Sequence, residues 1–403
     1  MSEPDDSNEG VARREYLKYG AALVAGGGLA GCLGQSGSGT APAGSTPGTA
    51  TGAESATTTT GEAGETTAAD TPYSVTIEPA GEVTFQSVPE TWVAENASWA
   101  DMGVALGLDK PSAVVLTSEY RTWHYADVPG LSASKDDMVS LWQDGIAKEL
   151  FLEIDAGVHF IDPNYMVNLI PKWERADVEE MSDRVGPFCG NTSFSTYPWH
   201  ENYPYFSLYE ATEKVARVFR RMDRYRALVE LHSQFLERIQ QRLPPESERP
   251  AIALLSPGST EPEQFYPYRL GETTAYKHWH DLGVADALDG TDIRSFTSNR
   301  GTIDYEALLE VDPEVLMFYT DKHWSRTEFR GQYLEFLRNH DTARELTAVQ
   351  NGEVYPAGGM YQGPIINLSK TERAAKQLFS EEFGRDERLF DRQRIADIRN
   401  GDI

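Results

Sequence analysis

Apolar residues in KELFLEIDAGVHFI, residues 148–161, recur first at helical spacing and then as an unbroken run. The same change of period returns at residues 305–318, YEALLEVDPEVLMF. At both places the pattern predicts a short amphipathic helix that turns into a strand covered on both faces. Aligned on Glu149 and Glu306, the segments share Leu152/Leu309, Glu153/Glu310, Asp155/Asp312 and Val158/Val315. A weaker echo, WADMGV at 99–104 and WHDLGV at 279–284, stands in the same order. Two echoes in one order predict two lobes of similar α/β construction.

Between the echoes, Leu208, Ala211, Val215, Val218, Met222, Tyr225, Val229, His232, Phe235 and Ile239 recur at threes and fours. Ser207 followed by Glu210 forms a capping box, and Pro244-Pro245 ends the pattern. The spacing predicts one long helix over 207–243, about 55 Å at 1.5 Å per residue. A coiled-coil dimer would also use so long a helix, but the heptad is not strict, so a monomer is expected. The expected organisation is an N-terminal α/β lobe at 72–206, the connecting helix, a C-terminal α/β lobe at 244–384 and a tail at 385–403.

The first 71 residues follow neither period. RREYLK at 13–18, then a short glycine-rich apolar run, then Leu29-Ala30-Gly31-Cys32, resembles a twin-arginine export signal ending in a lipobox. Residues 1–32 are thus expected to be a signal, with Cys32 lipidated and the protein held at the outer face of the cell membrane. The run is too short and glycine-rich to span a bilayer. Residues 33–71, nearly all Gly, Ser, Thr, Ala, Pro and Glu, read as a disordered tether. Only Cys189 then remains, so no intrachain disulfide is expected.

Net charge is −27, of which −6 lies in residues 1–72, leaving −21 on the rest. Only 10 of the 36 basic residues are Lys, a balance that resembles proteins of extreme halophiles. No basic stripe is available to neutralise phosphates, which disfavours nucleic acid as a partner.

Signal, tether, lobe, long helix and second lobe together resemble the substrate-binding proteins of ABC importers for ferric siderophores and vitamin B12. The resemblance implies two Rossmann-like lobes joined by a single long interdomain helix, with no catalysis and no resident cofactor. The ligand would be a small-molecule Fe(III) chelate, and the partners an ABC permease with its ATPase. It also implies that Glu149 and Glu306 dock onto permease arginines, one carboxylate per lobe. Glu306 with Asp312-Pro313-Glu314 fits the family pattern, whereas Asp155-Ala156-Gly157 departs from the usual Pro-Asp turn and weakens the case for Glu149.

Ligands of such lobes sit where strands end, in the crevice between lobes. The loop after VVLT (114–117) carries Tyr120, Arg121, Trp123, His124 and Tyr125, and the loop after AIALL (251–255) carries Tyr266, Tyr268 and Arg269. Arg300 and Tyr361 stand on further loops. Guanidinium forks suit anionic chelate oxygens, and rings suit an organic shell. The aromatic stretch FSTYPWHENYPYF (194–206) reads either as a cleft wall or as a loop packed under the helix. Cobalamin or haem is the main alternative ligand and a secreted hydrolase a third reading. The chain has no nucleophile elbow, phosphate-binding loop or zinc-protease motif.

Overall fold

A computed structural model describes residues 71–403 apart from Ala133 and Asp321. The expected export signal, Cys32 and all of the tether but Thr71 lie outside these residues.

The chain enters through a hairpin of β1 (Tyr73–Ile77) and β2 (Gly81–Phe85). The first lobe is built on four parallel strands, β3 (Trp92–Ala94), β4 (Ala113–Val114), β5 (Val139–Ser140) and β6 (Val158–Phe160), in the order β5-β4-β3-β6. The second lobe holds β7 (Ala251–Ser256), β8 (Tyr266–Tyr268), β9 (Ala285–Asp286), β10 (Val315–Tyr319) and β11 (Val354–Gly358). Its order is β11-β10-β7-β8 with β9 also beside β7, all parallel except β8.

The helices that matter below are α1 (Ala97–Ala105), α2 (Lys148–Ile154), α3 (Pro163–Leu169), α4 (Leu208–Val218) and α5 (Met222–Gln240) in and after the first lobe. They continue with α6 (Lys277–Leu282), α7 (Phe296–Asn299), α8 (Tyr305–Val311), α9 (Pro364–Leu378) and α10 (Arg392–Asn400).

Strand alternation divides the core. Trp92, Ala94, Ile252, Leu254, Val315 and Met317 face one central core shared by both lobes and the helices between them. Val93 turns to a separate core in the first lobe, and Ala253, Leu255, Leu316 and Phe318 to another in the second. Both faces of each sheet are thus covered, which explains the unbroken apolar runs in the sequence.

The main echo holds residue for residue. Helix α2 and α8 each end in an aspartate with left-handed backbone, Asp155 (φ 48°) and Asp312 (φ 43°), and then enter β6 and β10. The second echo is also structural. Trp99 on α1 and Trp279 on α6 are each 1% exposed, and α9 packs against both helices.

The expected single helix is two. Helix α4 stops at Val218 and α5 begins at Met222. Arg220 takes a left-handed φ of 52°, Arg221 N–H donates to Ala216 O (2.7 Å) and Arg220 N–H to Arg217 O (3.3 Å). This is a Schellman ending. The Tyr73 hydroxyl donates to Val218 O, a carbonyl that a continuous helix would have used itself, and the Arg220 guanidinium lies 4.3 Å over the Tyr73 ring. The β-hairpin therefore docks at the break.

The supposed tail at 385–403 contains α10, which buries Ile395, Ala396 and Ile398 against α1 and α5. Arg399 fixes it by donating to Val104 O at 2.7 Å. Among the described residues no helix is long and apolar enough to cross a membrane. Asn96, Asn191 and Asn367, each in an Asn-X-Ser sequon, are at most 6% exposed and hydrogen-bonded, so none can carry a glycan in the folded protein.

Candidate ligand cleft between the lobes

Residues that follow the strands converge between the lobes. From the first lobe come Glu95 and Asn96 after β3, Val115, Leu116 and Glu119 after β4, and Tyr165 on α3; Tyr361 after β11 faces them. A second, larger cavity of about 330 Å³ lies between Ser195 and Thr196 on one side and Arg269, Thr273, Tyr276, Arg294, Ser295, Thr297 and Ser298 on the other. Six hydroxyl-bearing Ser and Thr side chains and two arginines line it, which suits an oxygen-rich ligand. Burial, then Glu95, push the Tyr197 hydroxyl up, against Arg300.

The expected ligand residues divide by what already holds them. Tyr120 (0% exposed) and Tyr125 (1%) are core residues packed on each other at 6.1 Å, so they are not a cleft surface. The cause is that loop 122–125 packs on α9, with His124 Nδ1 3.0 Å from Ser369 Oγ. Tyr268 is buried edge-on against Tyr319 at 5.0 Å, and Tyr266 packs on Phe296 at 4.7 Å. Arg269 reaches the cavity, but its guanidinium is bound to Asp286 (2.8 Å), Asp289 (2.6 Å) and Ile293 O (3.2 Å). Those bonds secure β8 to the chain after β9, so Arg269 is structural.

Arg300 is different. It follows α7 with a left-handed φ of 57°, lies 5.2 Å over Phe296, and forms no ion pair among the described residues. Arg294, which sequence reasoning missed, is exposed at the cavity and likewise has no ion pair there. Tyr361 packs edge-on to Phe194 at 5.1 Å. Trp123 stacks on His323 of the second lobe, with centroids 4.5 Å apart and planes 13° apart, and this contact spans the lobes.

At that seam lies a concentration of positive charge. The Arg121 guanidinium packs where a Cβ at residue 359 would stand, so a side chain there would have to displace it. Lys370 on α9 is 3% exposed and donates to Gly359 O at 2.7 Å, its one bond among the described residues. Burial, then Arg121 and Arg373, push its pKa well below the usual lysine range. Arg373 lies 5.5 Å from the Trp123 ring, and burial lowers its pKa to about 10. An ammonium buried with one carbonyl acceptor and two cationic neighbours is costly, so the group is held toward the neutral amine until an anion joins it.

The aromatic stretch 194–206 is largely stacked on itself. Tyr197 and Trp199 lie 4.4 Å apart, His200 and Tyr203 4.0 Å, and the Tyr203 hydroxyl donates to Asp162 at 2.5 Å. Only its start, at Ser195 and Thr196, lines the cavity. Glu149 and Glu306 are exposed in the first turns of α2 and α8, in matched positions of the two lobes.

Known proteins share this fold. Residues 192–359, from the loop before α4 to just past β11, match the family model described as periplasmic binding protein. A periplasmic binding protein from Veillonella parvula superposes with a TM-score of 0.55 at 15% identity, covering 77% of this chain and 98% of that one. A protein of an ABC-type Fe3+-hydroxamate transport system from Saccharomonospora viridis gives 0.52 at 18% identity, covering 76% and 99%. A triscatecholate siderophore-binding protein from Bacillus subtilis, in complex with ferri-bacillibactin, gives 0.52 at 13%, covering 76% and 98%. No curated protein matches the chain. The family and these structures are binding proteins rather than enzymes. Residues 192–359 thus resemble the periplasmic-binding-protein family, and the described residues as a whole share the two-lobed α/β fold of these solved structures.

Proposed function

We propose that this protein captures an iron(III) chelate with anionic oxygen donors between its lobes and delivers it to an ABC permease at the outer membrane face. Lys370 carries the reading: a lysine buried at the lobe seam beside Arg121 and Arg373 calls for an anionic guest. Arg294 extends the same preference to the hydroxyl-lined cavity. Two of the structural neighbours are named for hydroxamate transport and triscatecholate binding, which agrees with this chemistry. Glu149 and Glu306, exposed on equivalent helices, are the proposed permease contacts, and Cys32 the proposed lipid anchor of a protein exported by the twin-arginine route.

Thermal melts at high salt against ferric trihydroxamate, triscatecholate and polycarboxylate chelates, cobalamin and haem test the ligand class. A ligand that binds only the folded state raises the midpoint, by an amount set by RT ln(1 + [L]/Kd). A ferric chelate is expected to do so. A midpoint raised by cobalamin or haem alone would replace this reading with the alternative ligand.

A further inference from the structure

Two carboxyl groups stand side by side at the floor of the cleft. Strands β3 and β6 run parallel with Ala94 opposite Phe160, so Glu95 and Asp162 leave adjacent strand ends. They are 2% and 0% exposed. Two such neighbours in a low-dielectric site do not both ionise readily.

Their hydrogen bonds decide which one keeps the proton. Asp162 accepts from Asn164 N–H at 2.7 Å, from the Tyr203 hydroxyl at 2.5 Å and from Thr192 Oγ at 3.0 Å. Among the described residues Glu95 has only two side-chain contacts, both long, from Asp162 N–H at 3.3 Å and Asn96 Nδ2 at 3.5 Å. The charge therefore belongs on Asp162 and the proton on Glu95. The other groups around Glu95 are Glu119 after β4, Tyr165 on α3, Tyr197 and Tyr203 on the aromatic loop, and Arg300 after α7. Arg300 is the one cation of this set. Burial, then the charge of Asp162, raise the Glu95 carboxyl well above its usual range, against the hydrogen bonds from Asp162 N–H and Asn96.

Glu95 also borders the niche where the first lobe faces Tyr361 of the second. We infer that Glu95 is a specificity-determining residue that stays protonated and donates a hydrogen bond to an oxygen acceptor on the captured ligand. The inference rests on the chelate reading above. A carboxylate at this place would repel anionic oxygens, whereas a carboxylic acid binds them. Only proton sharing is involved, and no bond is made or broken.

Two measurements test this. The first is affinity for a ferric trihydroxamate without other ionisable groups, from about pH 5 to about pH 9, for the parent, Glu95→Gln and Glu95→Ala. The parent is expected to bind evenly at the acid end and to weaken by up to about tenfold per pH unit as Glu95 ionises. Glu95→Gln, which keeps a donor, is expected to hold acid-side affinity with a flat profile, and Glu95→Ala to lose about tenfold or more at the acid end. Parallel profiles for parent and Glu95→Gln would overturn the inference. The second is the infrared carbonyl stretch of a buried carboxylic acid in the ligand-free protein, present in the parent and missing in Glu95→Gln. Its absence from the parent overturns the inference whatever binds. If the band is present but no ferric chelate binds at any pH, it is the chelate reading that fails, and the donor role toward a chelate falls with it.

Discussion

Arg269 and Lys370 show how the same kind of side chain acquires opposite roles from its surroundings. Arg269 stands in the cavity wall, yet two aspartates and a carbonyl hold it. Replacing it with Ala is expected to lower stability by about 1 to 2 kcal/mol, since its pairs are partly exposed, and to leave ligand affinity nearly unchanged. Chemical denaturation and titration of Arg269→Ala read the two effects separately. A large loss of affinity without loss of stability would return Arg269 to the ligand. Lys370→Met is expected to behave in the opposite sense: an apolar side chain of similar length removes a buried, poorly partnered amine, so stability holds or rises while affinity for an anionic chelate falls about tenfold or more. At this scale the sequence was a poor guide. Arg121 was visible because it follows a strand and Arg300 because it stands on the loop before the second repeated unit, but Lys370 and Arg373 lie on a helix that looks like any amphipathic helix. Nothing in the sequence set Arg294 apart from other basic residues, and Tyr120 and Tyr125 were mistaken for a surface because the packing of their loop on α9 is a tertiary event.

Among the elements, the repeated helix–strand unit was legible because both of its periods are written in side chains. Asp155 and Asp312 align in sequence and adopt the same left-handed turn. Their surroundings differ in one respect. The Asp312 carboxylate accepts from Thr347 N–H at 2.8 Å and Thr347 Oγ at 2.7 Å, whereas the corresponding turn at Asp155 is held through its backbone, with Thr91 Oγ donating to its carbonyl at 3.5 Å. Asp155→Gly is therefore expected to stabilise by about 0.5 to 1 kcal/mol, by relieving the left-handed strain against the added entropy of the unfolded chain. Asp312→Gly is expected to destabilise by about 1 to 2 kcal/mol through the lost bonds. Equal effects in urea melts would mean that the carboxylate of Asp312 contributes nothing to its turn. The break between α4 and α5 was not legible, because Val218 and Met222 are four apart and the apolar stripe runs through it without a change of phase. The ending of α4 at the left-handed Arg220 leaves Val218 O to a contact with Tyr73, more than a hundred residues away. Helix α10 was missed for a related reason: only three of its nine residues are buried, and the rest read as a polar tail.

For the whole molecule, one helix joins what the strands keep apart. The first residues of α9 are tied to the first lobe by Asp101, whose Oδ2 accepts from Ile366 N–H at 3.0 Å. Gln362, just before α9, ties it to the second lobe by donating to Thr274 O and Ala275 O. Burial pushes Asp101 up to about 7, against hydrogen bonds that pull it down. A carboxyl with a higher pKa folded than unfolded favours the folded state while protonated. Its contribution is complete below the unfolded value near pH 4 and is lost as pH rises through about 7. Asp101→Asn keeps an acceptor for Ile366 and cannot titrate. Relative to that variant, the parent is expected to lose stability between about pH 4 and about pH 7 and no more above it. Parallel stability–pH curves would rule out this role for Asp101. At the outer faces, Glu149→Ala with Glu306→Ala is expected to leave stability and chelate affinity unchanged while reducing ligand-stimulated ATP hydrolysis by the reconstituted importer. Full stimulation would show that the repeat reflects shared lobe architecture alone.

The anionic guest at the seam is the central claim, because it accounts for the buried lysine and for Arg294, which lines the cavity with no ion pair among the described residues. Calorimetric titration of the parent and of Lys370→Met with a negatively charged ferric triscatecholate, at the salt concentration in which the protein is most stable, tests it most directly. The account predicts saturable one-to-one binding by the parent and an affinity at least about tenfold weaker in the variant, with the fold intact. Equal affinity in the two proteins, or binding of cobalamin or haem with none of the ferric chelate, would contradict it.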